Sequence, residues 1–133
     1  MKKIAIAFYF LATIALLTFC VQCKKEPVCE LVLRIHKTNT GIDTADVLPN
    51  AYVRVGLEDN YADFAKAEGY TDKNGVFTHT FKYEALLEVA VTYDSTYFNS
   101  DSVMVRDYYL GSGRVKLEPG ETVDQVILVS ATE

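Results

Sequence analysis

Leu87-Glu88-Val89-Ala90-Val91-Thr92-Tyr93 sets leucine, valine, valine and tyrosine at every second position. A period of two puts these four side chains on one face of an extended chain, so the stretch predicts a half-buried β-strand. The pattern recurs outward. Upstream, Leu31, Leu33 and Ile35 lie opposite Glu30, Arg34 and His36, while Ala51, Val53, Val55 and Leu57 alternate with Tyr52, Arg54 and Gly56. A weaker strand is expected at Lys66–Thr71 and another at Val76–Lys82, where Phe77, His79 and Phe81 share a face. Downstream, a polar stretch from Asp94 to Ser102 precedes a short strand at Val103–Arg106. Arg114–Leu117 and Thr122–Ser130 read as the last two strands.

Turn residues separate these segments. Thr38–Asp46 is polar, and Glu118-Pro119-Gly120-Glu121 joins the final pair. Asp72-Lys73-Asn74-Gly75 is the strongest turn signal, because Asn-Gly adopts positive φ at little steric cost and is expected to close a hairpin. Glu58–Phe64 reads as a loop or one helical turn. About seven or eight short strands with turns every ~8–12 residues mark a sandwich or small barrel. Two facing sheets would bury each strand's apolar side across a core about 10 Å thick.

The N-terminus belongs to a different regime. Lys2 and Lys3 precede a nearly unbroken apolar run from Ile4 to Phe19, then small and polar residues with cysteines, which is the layout of a secretory signal. The run is shorter than the about 20 residues that cross a bilayer core. Cysteines stand where it ends, as in signals whose cysteine is lipidated and becomes the first mature residue. Val21-Gln22-Cys23-Lys24-Lys25-Glu26-Pro27 resembles the exit of lipoprotein signals, although Gln22 and Phe19 both stand where a small residue is usual. Cys23 is favoured over Cys20 because the charged tether begins immediately after it. The expected divisions are a cleaved signal at 1–22, a lipidated tether at 23–27 and a domain at 28–133. Two or three acyl chains hold a protein to a membrane where one binds weakly. Cys29 is then left over, expected as a small buried thiol, or as a partner for Cys23 if processing falls at Cys20.

Loss of Lys2 and Lys3 with the signal leaves eleven basic residues against eighteen acidic, a formal charge of −7. So acidic a domain is a poor match for phosphate backbones, and no nucleic-acid partner is expected.

Leu48-Pro49-Asn50-Ala51-Tyr52-Val53-Arg54-Val55 resembles the second-strand signature of carboxypeptidase-regulatory-like domains, also described as prealbumin-like or transthyretin-like. Gly69-Tyr70-Thr71-Asp72-Lys73-Asn74-Gly75-Val76-Phe77 is similar to their second signature, and Val115-Lys116-Leu117-Glu118-Pro119-Gly120 to their ending. The resemblance spans roughly residues 30 to 130. It implies an all-β, Ig-like or transthyretin-like sandwich of about seven antiparallel strands, and an accessory role that spaces, presents or binds. Tyr97 to Ser112 departs from the family pattern.

For catalysis only His36 and His79 are available, and no Ser, Cys or His cluster has a nucleophile's spacing. His36 is expected to be solvated and His79 to be hydrogen-bonded at the core edge. Asp72-Lys73-Asn74-Gly75 echoes a calcium loop, but position 12 from Asp72 is Tyr83 and position 5 is Val76, so no metal is expected. The chain reads as a non-enzyme without cofactor. Tyr97, Phe98, Tyr108 and Tyr109 form the candidate ligand-binding patch, since sugar rings stack on flat aromatic faces; the alternative is cross-strand packing. The expected function is a lipid-anchored structural or protein-interaction module of the cell envelope, at the outer membrane and facing periplasm or surface. The alternative is a carbohydrate- or peptide-binding lipoprotein accessory to an uptake complex.

Overall fold

The computed structural model describes residues 26–38, 46–57 and 62–132. The expected signal, Cys20, Cys23 and the tether up to Lys25 lie outside the described residues. In chain order the strands are β1 (Cys29–Thr38), β2 (Asp46–Val47), β3 (Tyr52–Val55), β4 (Ala67–Tyr70), β5 (Val76–Phe81), β6 (Ala85–Phe98), β7 (Met104–Leu117) and β8 (Thr122–Ala131). A 3₁₀ turn at Asp63–Ala65 is the one helical element among the described residues. The fold is all-β, as the alternating pattern predicts.

The strands form one sheet in the order β2-β1-β8-β7-β6-β3-β4, with β5 alongside β1. Only two residue pairs join β7 to β8, Tyr109↔Ala131 and Leu110↔Ser130. The sheet curls at this narrow seam, so that β5-β1-β8 faces β7-β6-β3-β4 as the two layers of a sandwich. Leu31, Leu33, Ile35, Phe77, Phe81, Ile127 and Val129 meet Val53, Val55, Leu87, Val89, Val91, Val115 and Leu117 between them. Each such side chain contributes about 1.5–3 kcal/mol when fully buried. Glycine lets the layers close at the seam. A Cβ on Gly111 would stand 2.5 Å from Val129 Cγ1, and one on Gly113 would stand 2.6 Å from Ile127 Cδ1.

All pairings are antiparallel except β1 with β8, which run parallel over nine residue pairs from Glu30↔Thr122 to Thr38↔Ser130. The bidentate Arg34–Asp124 ion pair straddles them on the outer face.

The two stretches that carry the family resemblance meet in space. Thr71, 3 % exposed, donates its hydroxyl to Leu48 O at 2.7 Å, and its Oγ1 accepts from Ala51 N at 2.9 Å. This clamps the Pro49-Asn50 turn, in which Asn50 takes φ 57°.

Two local expectations are corrected. The turn at Asp72–Gly75 forms, with Gly75 at φ 72° and Gly75 N bonded to Asp72 O, but it closes no hairpin. β4 pairs with β3 and β5 with β1, so the turn carries the chain from one layer to the other. Second, 85–117 holds two 14-residue strands paired along their whole length, with no loop from 94 and no break between 106 and 114.

Candidate functional site

The β6–β7 hairpin is longer than the core it serves. Its root, Ala85↔Leu117, lies where the chain enters β1, since Gly120 N bonds Val28 O and Glu30 N bonds Glu121 O. β8 ends opposite Tyr109, and the hairpin continues to Phe98↔Met104. Five residues past the seam, at about 3.4 Å each, extend the arm roughly 17 Å beyond the sandwich. Its tip is closed tightly: the Asn99 side-chain oxygen accepts from Asp101 N and Val103 N, and Ser102 N bonds Asn99 O.

The four aromatics singled out by sequence all lie on this arm, but on two faces. Odd-numbered positions of β6 and β7 continue the core face, and even-numbered positions the outer face. Tyr97 and Tyr109 are therefore on one side, Phe98 and Tyr108 on the other. Within each pair the register offset is four residues, roughly 13 Å. Tyr109 is half-buried and packs on Tyr93, with ring centroids 6.0 Å apart. Tyr108, also half-buried, lies under Arg106, whose guanidinium is 5.4 Å from the ring centroid. That guanidinium also binds Asp94 at 2.9 and 2.6 Å and holds the Asp94 carboxyl below its ordinary range. Tyr97 on one face, Phe98 and Met104 on the other and Val103 in the turn are all exposed, so apolar side chains cap the tip on both faces. Phe98 is 71 % and Met104 66 % exposed, although the two are register partners.

The remaining candidates sit elsewhere. His36 is partly buried on β1. His79 is exposed on edge strand β5, its ring between Phe77 and Phe81 with centroids 6.5 and 4.7 Å away. Cys29 is a free thiol, fully buried in the core, and burial, with Glu84's charge adding, pushes its pKa up. The Asp72 carboxylate serves its own turn, accepting from Asn74 N at 2.8 Å and Val76 N at 2.9 Å.

One constellation was missed by sequence. Register pairs Tyr52 with Tyr70 and Arg54 with Glu68 on the outer face of β3 and β4. The two rings lie 5.2 Å apart at 46°, and Tyr70 is 67 % exposed. The Tyr52 hydroxyl donates to Glu68 Oε2 at 2.6 Å, which raises the phenol above its ordinary pKa. Beside them a cleft of about 450 Å³ is lined by Arg54, Val55, Gly56, Leu57, Lys66, Ala67 and Glu68. The signal for it was the tyrosine on each of two strands, but a pairing across a loop leaves no trace in the sequence.

No protein-family model matches the chain, and no curated protein does. A solved structure similar to it is a 9R-lipoxygenase from Cyanothece PCC8801, at 18 % identity with a TM-score of 0.40. The likeness covers 78 % of this chain and 16 % of that one. The expectation that this chain is non-enzymatic is withdrawn on its own ground. It rested on the lack of a nucleophile's spacing, which says nothing of residues brought together from distant strands. A likeness this distant assigns the chain no reaction.

Proposed function

We propose that the chain is a lipid-anchored envelope protein whose β-sandwich is an interaction module with two working ends. Acylated Cys23 would hold the residue-26 end at the membrane, and the β6–β7 arm would meet a protein partner. The observation that carries this reading is the placement of the apolar tip. Tyr97, Phe98, Val103 and Met104 stand at the pole opposite the one where Glu26 and Pro27 lead into β1. Fourteen strand residues separate the poles, roughly 45 Å. An apolar cap that the fold leaves uncovered marks a contact surface, and its turn is hydrogen-bonded before any partner arrives. The resemblance to carboxypeptidase-regulatory-like domains, which serve as accessories, accords with this role. Among the described residues no helix is long and apolar enough to cross a membrane.

Two measurements test the reading. Mass spectrometry of the N-terminal peptide, from protein in its own membrane, is expected to find an acylated Cys23, lost in Cys23→Ala; an intact Met1 overturns the anchor. Separately, a photo-crosslinking residue at position 98 or 104 is expected to give protein adducts in cells. One at the exposed Thr80 should give none. Equal yields at the three positions overturn the arm as the contact surface.

A further inference from the structure

We infer that the outer face of β3 and β4 binds an acidic saccharide, with Tyr70 stacking a sugar ring and Arg54 and Lys66 taking its carboxylate. This goes beyond the interaction role of the arm and uses a separate surface.

Charge pairing leads to it. Among the described residues, Arg34, Lys37, Lys82, Arg106, Arg114 and Lys116 each lie within 4.0 Å of a carboxylate. Arg54, Lys66 and Lys73 do not, and Lys73 belongs to the Asp72–Gly75 turn. In a domain this acidic, two unpaired cations lining one cleft form a place where an anion is favoured. Glu68, the register partner of Arg54, forms an ion pair with neither cation and takes the Tyr52 hydroxyl on Oε2 at 2.6 Å, so these three charged side chains sum to one net positive charge.

The rest of the surface decides which anion. Glu68 and Tyr70 share the outer face of β4, and Lys66, extended just ahead of that strand, continues their alternation at steps of about 7 Å, a row of roughly 14 Å, with Arg54 and Tyr52 opposite the first two on β3. Arg54 offers a planar fork of donors suited to a carboxylate. The free oxygen of Glu68 accepts from hydroxyl groups. Tyr70 presents an open ring for the apolar face of a pyranose, held at its angle by Tyr52. A phosphomonoester dianion would bring two charges toward Glu68 where a uronate brings one, and its phosphate has no hydroxyl for the free oxygen. A uronic-acid oligomer answers each group: carboxylates for the cations, hydroxyls for Glu68 and ring faces for Tyr70.

The test is calorimetric titration of the full chain in detergent with tri-galacturonate, and with the same trisaccharide fully methyl-esterified. The acid form is expected to bind at least tenfold more tightly than the ester, with an affinity that falls as salt rises. Arg54→Gln and Lys66→Gln should each remove most of that preference. Tyr70→Ala should weaken both ligands at least tenfold, while Tyr70→Phe and Lys73→Gln leave them unchanged. All these side chains are exposed, and circular dichroism checks each variant's fold. Absence of binding at millimolar ligand overturns the proposal. So does equal affinity for acid and ester, indifference to Tyr70→Ala, or a nucleoside monophosphate binding in place of the sugar.

Discussion

Thr71 carries two hydrogen bonds on one buried hydroxyl, linking the turn after β2 to the end of β4. Thr71→Val keeps the shape and strands both partners, the Ala51 N–H and the Leu48 carbonyl. An unsatisfied buried polar group costs about 1–3 kcal/mol, so the variant should lose about that much in urea denaturation; Thr71→Ser should retain most of it. Both stretches joined by Thr71 were readable as strings, because proline, asparagine and glycine announce their turns locally. Their contact was not readable, since it spans 20 residues and depends on how β4 aligns with β3. The same gap hid the Tyr52–Tyr70 pair. A strand's own period says which side chains share a face, but nothing in it names the opposite residue.

At the scale of elements, two turns are built alike. In Asp72-Lys73-Asn74-Gly75-Val76 and Asn99-Ser100-Asp101-Ser102-Val103 the first side chain accepts from the third and fifth N–H. The fourth residue holds positive φ, 72° at Gly75 and 61° at Ser102. The first is visible because glycine marks that position; the second is hidden because serine occupies it, so Asp94–Ser102 reads as a polar stretch ahead of a short strand at Val103–Arg106. The outer half of the arm also lacks alternation, since with no core beneath it either face tolerates polar residues. A left-handed serine is strained by roughly 1–2 kcal/mol. Ser102→Gly should therefore raise stability by up to about 1 kcal/mol, the remainder being offset by glycine's greater freedom when unfolded. The seam makes the opposite demand. Gly111→Ala would push against Val129 and Leu128 O, so it should destabilise by about 1–3 kcal/mol, the usual cost of overpacking. Thermal melts of the two variants, run together, should move in opposite directions.

Across the whole molecule, pH should define a plateau with unlike edges. Hydrogen bonds from Arg106, Arg34 and Lys116 lower the pKa values of Asp94, Asp124 and Glu118. A depressed carboxyl contributes stability above its unfolded value, about 4, and loses it as pH falls through the folded one. The acid edge therefore lies below about pH 4 and should be shallow and salt-sensitive, because these pairs are exposed. Cys29 and Tyr52 are shifted upward. Their contribution is complete below the unfolded values, about 8.5 and 10, and declines as pH rises through the folded ones. Denaturant midpoints from pH 3 to 11 should fall from about pH 8.5 in the native chain. In Cys29→Ala, destabilised throughout by the smaller side chain, the decline should begin nearer pH 10. The parallel β1–β8 ladder has a mechanical consequence. A load applied between the residue-26 end and residue 132 pulls neighbouring strands from opposite ends. The nine register pairs would then resist by sliding, all strained at once, whereas an antiparallel pair so loaded would peel apart bond by bond. Tension between these two ends of the chain would therefore run along the ladder's most resistant direction.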